Sequence, residues 1–225
     1  MGSEHVDDLD RRTALARAVR DLLLQSPHVV EVRPYGSLGA GSDHSDRYSD
    51  IDLVAVVNGL SDRAFATKLP DLLIPLGRPL IAGWGLDRLP DTYVRTLYLE
   101  SYPLFWHIDI GCESSNHEPG ADIAQHYHWP QIFKMWIAAV KQLIRHRDDG
   151  SAFLQHISRW ADISSLRGSA ADRLGQSLEL CVARARRRGA PCEEVYRRCA
   201  ALRSIYLTSR PAGPRRPAGG SAGSS

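Results

Sequence analysis

The sequence predicts a mixed α/β (α+β) unit with a small mixed sheet, followed by an all-α helical bundle. Two observations carry this expectation. Up to residue 113, short apolar and β-branched runs alternate with Gly, Pro, Ser and Asn breaks, the pattern of strands and short helices around a sheet. From residue 121 onward, apolar residues recur at three- and four-residue spacing, the period of helices. A third observation sets the boundary: the polar stretch 114–120 reads as a linker. The expected domains are therefore 1–113 and 121–209. The tail 210–225, rich in Pro, Gly, Ser and Ala, is expected to be disordered.

The elements follow in order. Leu9, Ala16, Val19, Leu22 and Leu23 predict an amphipathic helix over 7–25, ended by Ser26-Pro27. Residues 28–35 read as a first strand running into Gly36-Ser37, and 38–48 as a polar loop. A second strand, 51–57, is broken by Asn58-Gly59. Ser61 is placed to cap a helix over 62–74, in which Pro70 is the one residue able to split it. A short strand is expected at 80–84, then two more, 92–100 and 104–111, joined at Ser101-Tyr102-Pro103. In the second half, Phe133, Trp136, Ile137, Val140, Leu143 and Ile144 form one stripe of a helix over 130–147. Helices over 152–163, 170–188 and 193–208, separated at Gly168 and Gly189-Ala190-Pro191, complete an antiparallel bundle of about four helices.

Composition excludes several classes. At 43% apolar residues the 225-residue chain can build a proper core, yet no run approaches the roughly 20 apolar residues of a membrane span. The N-terminal residues 1–10 are acidic and polar rather than a secretory signal. Cys112, Cys181, Cys192 and Cys199 show neither a disulfide framework nor zinc-ligand spacing. A cytoplasmic location is the expectation. A formal charge of +2 gives no electrostatic footprint for nucleic acid.

The chemistry is concentrated in two segments. Tyr35-Gly36-Ser37-Leu38-Gly39-Ala40-Gly41 is a glycine-serine turn, and such turns offer backbone N–H groups to phosphates. Ser49-Asp50-Ile51-Asp52 leads into an apolar strand. Alternate residues of a strand share a face, so Asp50 and Asp52 project together. Paired carboxylates repel unless a cation lies between them, and hard oxygen ligands suit Mg²⁺ with substrate phosphates. If the strand holding Asp109 pairs beside this one, three carboxylates can hold two metal ions. His107 shares a face with Asp109 but reads foremost as a packed or solvated histidine. His126 and His128 read as surface residues. The arginine run 184–188 reads as a helix C-terminus.

Gly36-Ser37, then Asp50-Ile51-Asp52, then Asp109 resembles the signature of the polymerase β-type nucleotidyltransferase superfamily. Within it the chain is most similar to the small bacterial nucleotidyltransferases that act on aminoglycosides and lincosamides. The resemblance implies a nucleotidyltransferase domain followed by a helical domain. It also implies two Mg²⁺ ions on Asp50, Asp52 and Asp109, and a nucleoside triphosphate, by default ATP. The acceptor it implies is a hydroxylated small molecule, nucleotidylated as an inactivated antibiotic or as a biosynthetic intermediate. Gly36 and Ser37 would contact the phosphates, and Ser49 would either do so or cap its strand. Among the 28 basic residues only Lys68, Lys134 and Lys141 are lysines. Lys134 and Lys141 share a face of the 130–147 helix. By the same resemblance Lys141 first, and Lys134 second, would reach the triphosphate; the other reading is a solvated helix face. Asp109 or a carboxylate of the helical region would be the general base. Two other functions remain open: nucleotide transfer to a protein or tRNA end, as in toxin–antitoxin members, and a non-catalytic nucleotide-binding regulator.

Overall fold

The structure is a computed structural model describing residues 9–39, 46–80, 87–89, 92–117, 129–145, 155, 157, 166–187, 189 and 192–207. Its frame is a five-stranded sheet in the order β1-β2-β5-β4-β3, with β1 Val29–Pro34, β2 Ile51–Val57, β3 Asp87–Leu89, β4 Thr92–Leu97 and β5 Ile108–Ser114. Neighbours pair antiparallel except β2 and β5, which run parallel. The parallel pair is the one that matters for function, because it brings the leading ends of two strands side by side. Along β2, Ile51, Leu53, Ala55 and Val57 are buried while Asp52, Val54 and Val56 are half-buried, the alternation expected of a strand with one face on the core.

The described residues form five helices: α1 Leu9–Leu24 and α2 Asp62–Leu72, which pack on the sheet, and α3 Trp129–Ile144, α4 Ala170–Arg187 and α5 Glu193–Tyr206, which pack on one another. α1 buries Leu15, Ala16, Val19 and Leu23. Ser61 caps α2, its side chain accepting from the Ala64 N–H. Pro70 lies inside α2 near its C-terminal end and does not split it. A proline there removes one hydrogen bond of the last turns and leaves the rest of the helix intact. The α3 stripe is buried as its spacing requires, with Phe133, Trp136, Ile137 and Val140 all at 1% exposure or less. One buried apolar cluster runs from α1 through the sheet to α5. Buried Arg198 of α5 donates to the carbonyls of Leu99, Glu100 and Tyr102, docking this helix on the turn before β5.

Two strand expectations need correction. Residues 104–106 are not strand: Leu104–Trp106 form a 3-10 turn and β5 begins at Ile108. All three turn residues are buried, and the Trp106 N–H closes the turn on the Pro103 carbonyl at 2.9 Å, with the proline ring holding φ at −55. The strand expected over 92–100 ends at Leu97, with Leu99 making an isolated bridge to Pro79. The edge strand β3 is short and polar and carries no apolar signal. The strand expected at 80–84 lies outside the described residues beyond Leu80. So do most of the helix at 152–163, His126, His128, Arg188 and the tail 210–225.

Candidate active site

The glycine-serine turn is shaped by one backbone requirement. Gly36 has φ +57, a conformation that costs an L-residue roughly 1–2 kcal/mol. A Cβ at that position would also run into the Asp52 carboxylate. Glycine therefore serves twice here: it turns the chain, and it lets the turn lie against Asp52. Ser37 is held from behind. Its hydroxyl accepts from Arg12 at 2.9 Å and lies 3.4 Å from the Asp50 carbonyl oxygen, to which it donates. Arg12, on α1 and 1% exposed, also donates to the carbonyls of Ser49 (2.8 Å) and Asp50 (2.5 Å). One buried guanidinium thus ties the phosphate-type turn to the carboxylate segment.

The parallel register pairs Asp52 directly with Asp109, and Asp50 lies two residues before Asp52. His107 stands just ahead of β5, with Nε2 3.1 Å from Asp50 Oδ2 and 3.7 Å from Asp109 Oδ2. One ligand atom from each of Asp50, His107 and Asp109 lies within 4.8 Å of the others, the size of a cation's coordination shell. α3 supplies the facing wall. Lys141 Nζ is 3.3 Å from Asp50 Oδ2. Lys134 Nζ donates to both oxygens of Asp109, at 3.0 and 2.8 Å, and to Thr96 Oγ1 at 2.9 Å. The Thr96 hydroxyl itself donates to Asp109 Oδ1. Arg145, at the end of the same helix, clasps Asp46 with 2.6 and 2.5 Å bonds and reaches Ser49 Oγ at 3.1 Å.

These contacts set three different charge states. Burial raises the Asp50 and Asp109 carboxyls, but nearby cations outweigh it. Lys141 draws Asp50 well below the usual carboxylate range, and His107 and Lys134 lower Asp109. Asp52 goes the other way: burial, then the negative charges of Asp50 and Asp109, push it up to about 7. The His107 imidazole is held below its ordinary value, first by burial and then by Lys141. Among the described residues no hydrogen bond or ion pair reaches the Asp52 carboxylate, and Lys141 and Lys134 offset its charge only from a distance. Three oxygen-donor carboxylates, one without a direct counter-ion among the described residues, fit a hard divalent cation such as Mg²⁺.

The structure brings Asp50, Asp52, Asp109, Gly36, Ser37, Lys134 and Lys141 to one place. It gives the Ser49 hydroxyl to Asp46, to which it donates at 2.9 Å, and to Arg145, so Ser49 pins the loop before Asp50. The lysines do not lie on a solvated face: their side chains are 16% (Lys134) and 6% (Lys141) exposed. Arg12 and Thr96 were not anticipated. Arg12 carried a signal, an arginine within the apolar stripe of Leu15, Ala16 and Val19. Thr96 carried none, since only the pairing of β4 with β5 sets it opposite Asp109.

No protein-family model matches the chain, and no curated protein does. It is similar to solved structures of Cid1. One, described as the basis of its RNA terminal uridylyl transferase activity, matches with a TM-score of 0.34 and 17% identity, over 75% of this chain and 47% of that one. A second, Cid1 poly(U) polymerase with MgGTP bound, gives a TM-score of 0.33 and 17% identity over 75% and 48% of the two chains. A third, Cid1 with its short product ApU, gives 0.31 and 18% over 75% and 46%. The chain spans about half the length of these structures. At such TM-scores it is the site geometry that bears on function.

Proposed function

We propose that the protein is a divalent-metal-dependent nucleotidyltransferase, moving a nucleoside monophosphate from a triphosphate to an acceptor hydroxyl with release of pyrophosphate. The observation that supports this best is the carboxylate cluster on the parallel β2–β5 pair, lying against the Gly36-Ser37 turn, with Asp52 in no direct ion pair among the described residues. Asp50, Asp52 and Asp109 would hold Mg²⁺, which when bound neutralises the triphosphate and acidifies the acceptor hydroxyl. The turn, braced by Arg12, offers N–H groups to the phosphates. Lys141 and Lys134 on α3 face the same space and add positive charge. The helical region 121–209 acts as a second domain and forms the opposite wall. In the transfer the acceptor oxygen bonds to the α-phosphorus as the bond to the bridging oxygen breaks. Pyrophosphate leaves with the electron pair, and the hydroxyl proton passes to a carboxylate of the cluster. Positioning and charge neutralisation supply most of the acceleration.

ATP is the default donor. For the acceptor, the motif resemblance favours a hydroxylated small molecule such as an aminoglycoside or lincosamide. A terminal hydroxyl of RNA is the second reading, the acceptor class named for Cid1. The test incubates the protein and Mg²⁺ with each labelled nucleoside triphosphate, with an antibiotic panel in one arm and short RNAs in the other. A product one nucleotide heavier by mass spectrometry, with pyrophosphate formed in step, is the expected result. Triphosphate binding without turnover in either arm would replace the enzyme by a nucleotide-binding regulator.

A further inference from the structure

Asp109 is the most enclosed of the three carboxylates, at 8% exposure, and both its oxygens are already engaged. The Lys134 ammonium straddles them at 3.0 and 2.8 Å, on the carboxylate edge a metal ion would share. Lys141 differs: it makes a single 3.3 Å contact to one oxygen of Asp50 and is less exposed than Lys134. Asp52, paired across the strands with Asp109, has no such cap among the described residues.

We propose that Lys134 is a displaceable counter-ion. It occupies the cation position on Asp109 in the metal-free protein, and a divalent cation taking Asp109 expels the ammonium into the cleft. There it is free to pair with the polyphosphate of a nucleotide. This rests on the metal-dependent reading above and adds a consequence to it. Cation and ammonium compete for one carboxylate edge, so the ion binds more weakly than its oxygen ligands alone allow. A polyphosphate that captures the released ammonium restores the affinity, and by reciprocity the ion strengthens polyphosphate binding by the same factor.

The small number of lysines makes this measurable in the wild-type protein. Lys68 on α2 is exposed and serves as internal standard for amine acetylation read residue by residue by mass spectrometry. Saturating Mg²⁺ is expected to speed Lys134 labelling about fivefold or more relative to Lys68, the low end of allosteric coupling, and added tripolyphosphate to slow it again. In a parallel Mn²⁺ titration followed by electron paramagnetic resonance, Lys134→Met should bind the ion about fivefold tighter than wild type or better, and Asp109→Asn more weakly. An unchanged Lys134 labelling rate at saturating ion, or a Lys134→Met that binds Mn²⁺ no tighter, overturns the proposal. Displacement seen without any nucleotide transfer would leave it standing and remove the proposed reaction. Transfer with an unresponsive Lys134 would do the reverse. A wild-type protein that binds no Mn²⁺ would remove both.

Discussion

The two sides of the carboxylate cluster are held in opposite ways. On the Asp52 side, main chain comes close and, among the described residues, no cation makes direct contact: Gly36 at φ +57 lays the turn against the carboxylate, whose pKa is pushed up to about 7. On the Asp50–Asp109 side, side chains from three other places converge: Lys134 and Lys141 from α3, Thr96 from β4, and His107 from the turn before β5. Both carboxyls there are held low. The contrast shows how a cluster of three acids can persist without an ion. Two have direct cationic partners, and the third avoids much of the repulsion by holding its proton up to about pH 7.

The comparison breaks most visibly if the carboxylates are neutralised. Asp50→Asn or Asp52→Asn is expected to cut pyrophosphate release by at least about 10²-fold, measured under saturating Mg²⁺ and triphosphate. A near-wild-type rate in either variant would detach the cluster from the chemistry.

Next in size is the pair of lysines. A lysine on a solvated face would change stability by under about 0.5 kcal/mol on removal. Lys141 is buried against Asp50 instead, so Lys141→Ala should cost about 1–3 kcal/mol in denaturant unfolding. That lies below the 3–5 kcal/mol of a fully buried pair because about a third of Asp50 stays in water. If Lys141→Ala unfolds like wild type, the α3 wall is not docked as described.

The Asp52 side is sharpened by backbone strain. Gly36→Ala should destabilise by about 1–2 kcal/mol and raise the nucleotide KM, because the new methyl group displaces Asp52 from the turn. An alanine variant with unaltered KM would show that the turn does not present the nucleotide site.

The last expected effect is a pH dependence. Asp52 is raised in the folded protein from 3.8 to about 7, so the folded state holds its proton more tightly than the unfolded chain does. The stability this contributes is complete below about pH 3.8 and is lost as pH rises through 7. In metal-free protein, Asp52→Asn should therefore gain melting temperature relative to wild type as the pH is raised from 4 to 8. A difference independent of pH would mean that Asp52 is already paired.

Local features of the site were legible in the sequence, and features assembled from distant segments were not. Gly36, Asp50 and Asp52 follow from a turn and a strand period, and the shared face of Lys134 and Lys141 follows from helical spacing. What those lysines touch does not follow, because it depends on how α3 packs on the 104–106 turn and the neighbouring helices to face the end of the sheet. The same holds for Thr96, which only the antiparallel register sets opposite Asp109. The strand expected from residue 104 failed for a related reason. An apolar run buried on all sides looks the same in sequence whether it is a strand or a turn, and Pro103 was the better guide. Arg12 was readable in principle. A charge within an apolar helix stripe must be satisfied where it is buried, and here it is satisfied by Ser37 and the carbonyls of Ser49 and Asp50.

The central claim is that these carboxylates form a divalent-cation centre that depends on Asp52. It is tested most directly by titrating Mn²⁺ into wild-type and Asp52→Asn protein without nucleotide and reading bound ion by electron paramagnetic resonance. Wild type should bind the ion, and Asp52→Asn should bind it at least about tenfold more weakly, the loss expected for one removed charged ligand worth about 1.4 kcal/mol or more. Equal affinity in the two proteins would contradict the account.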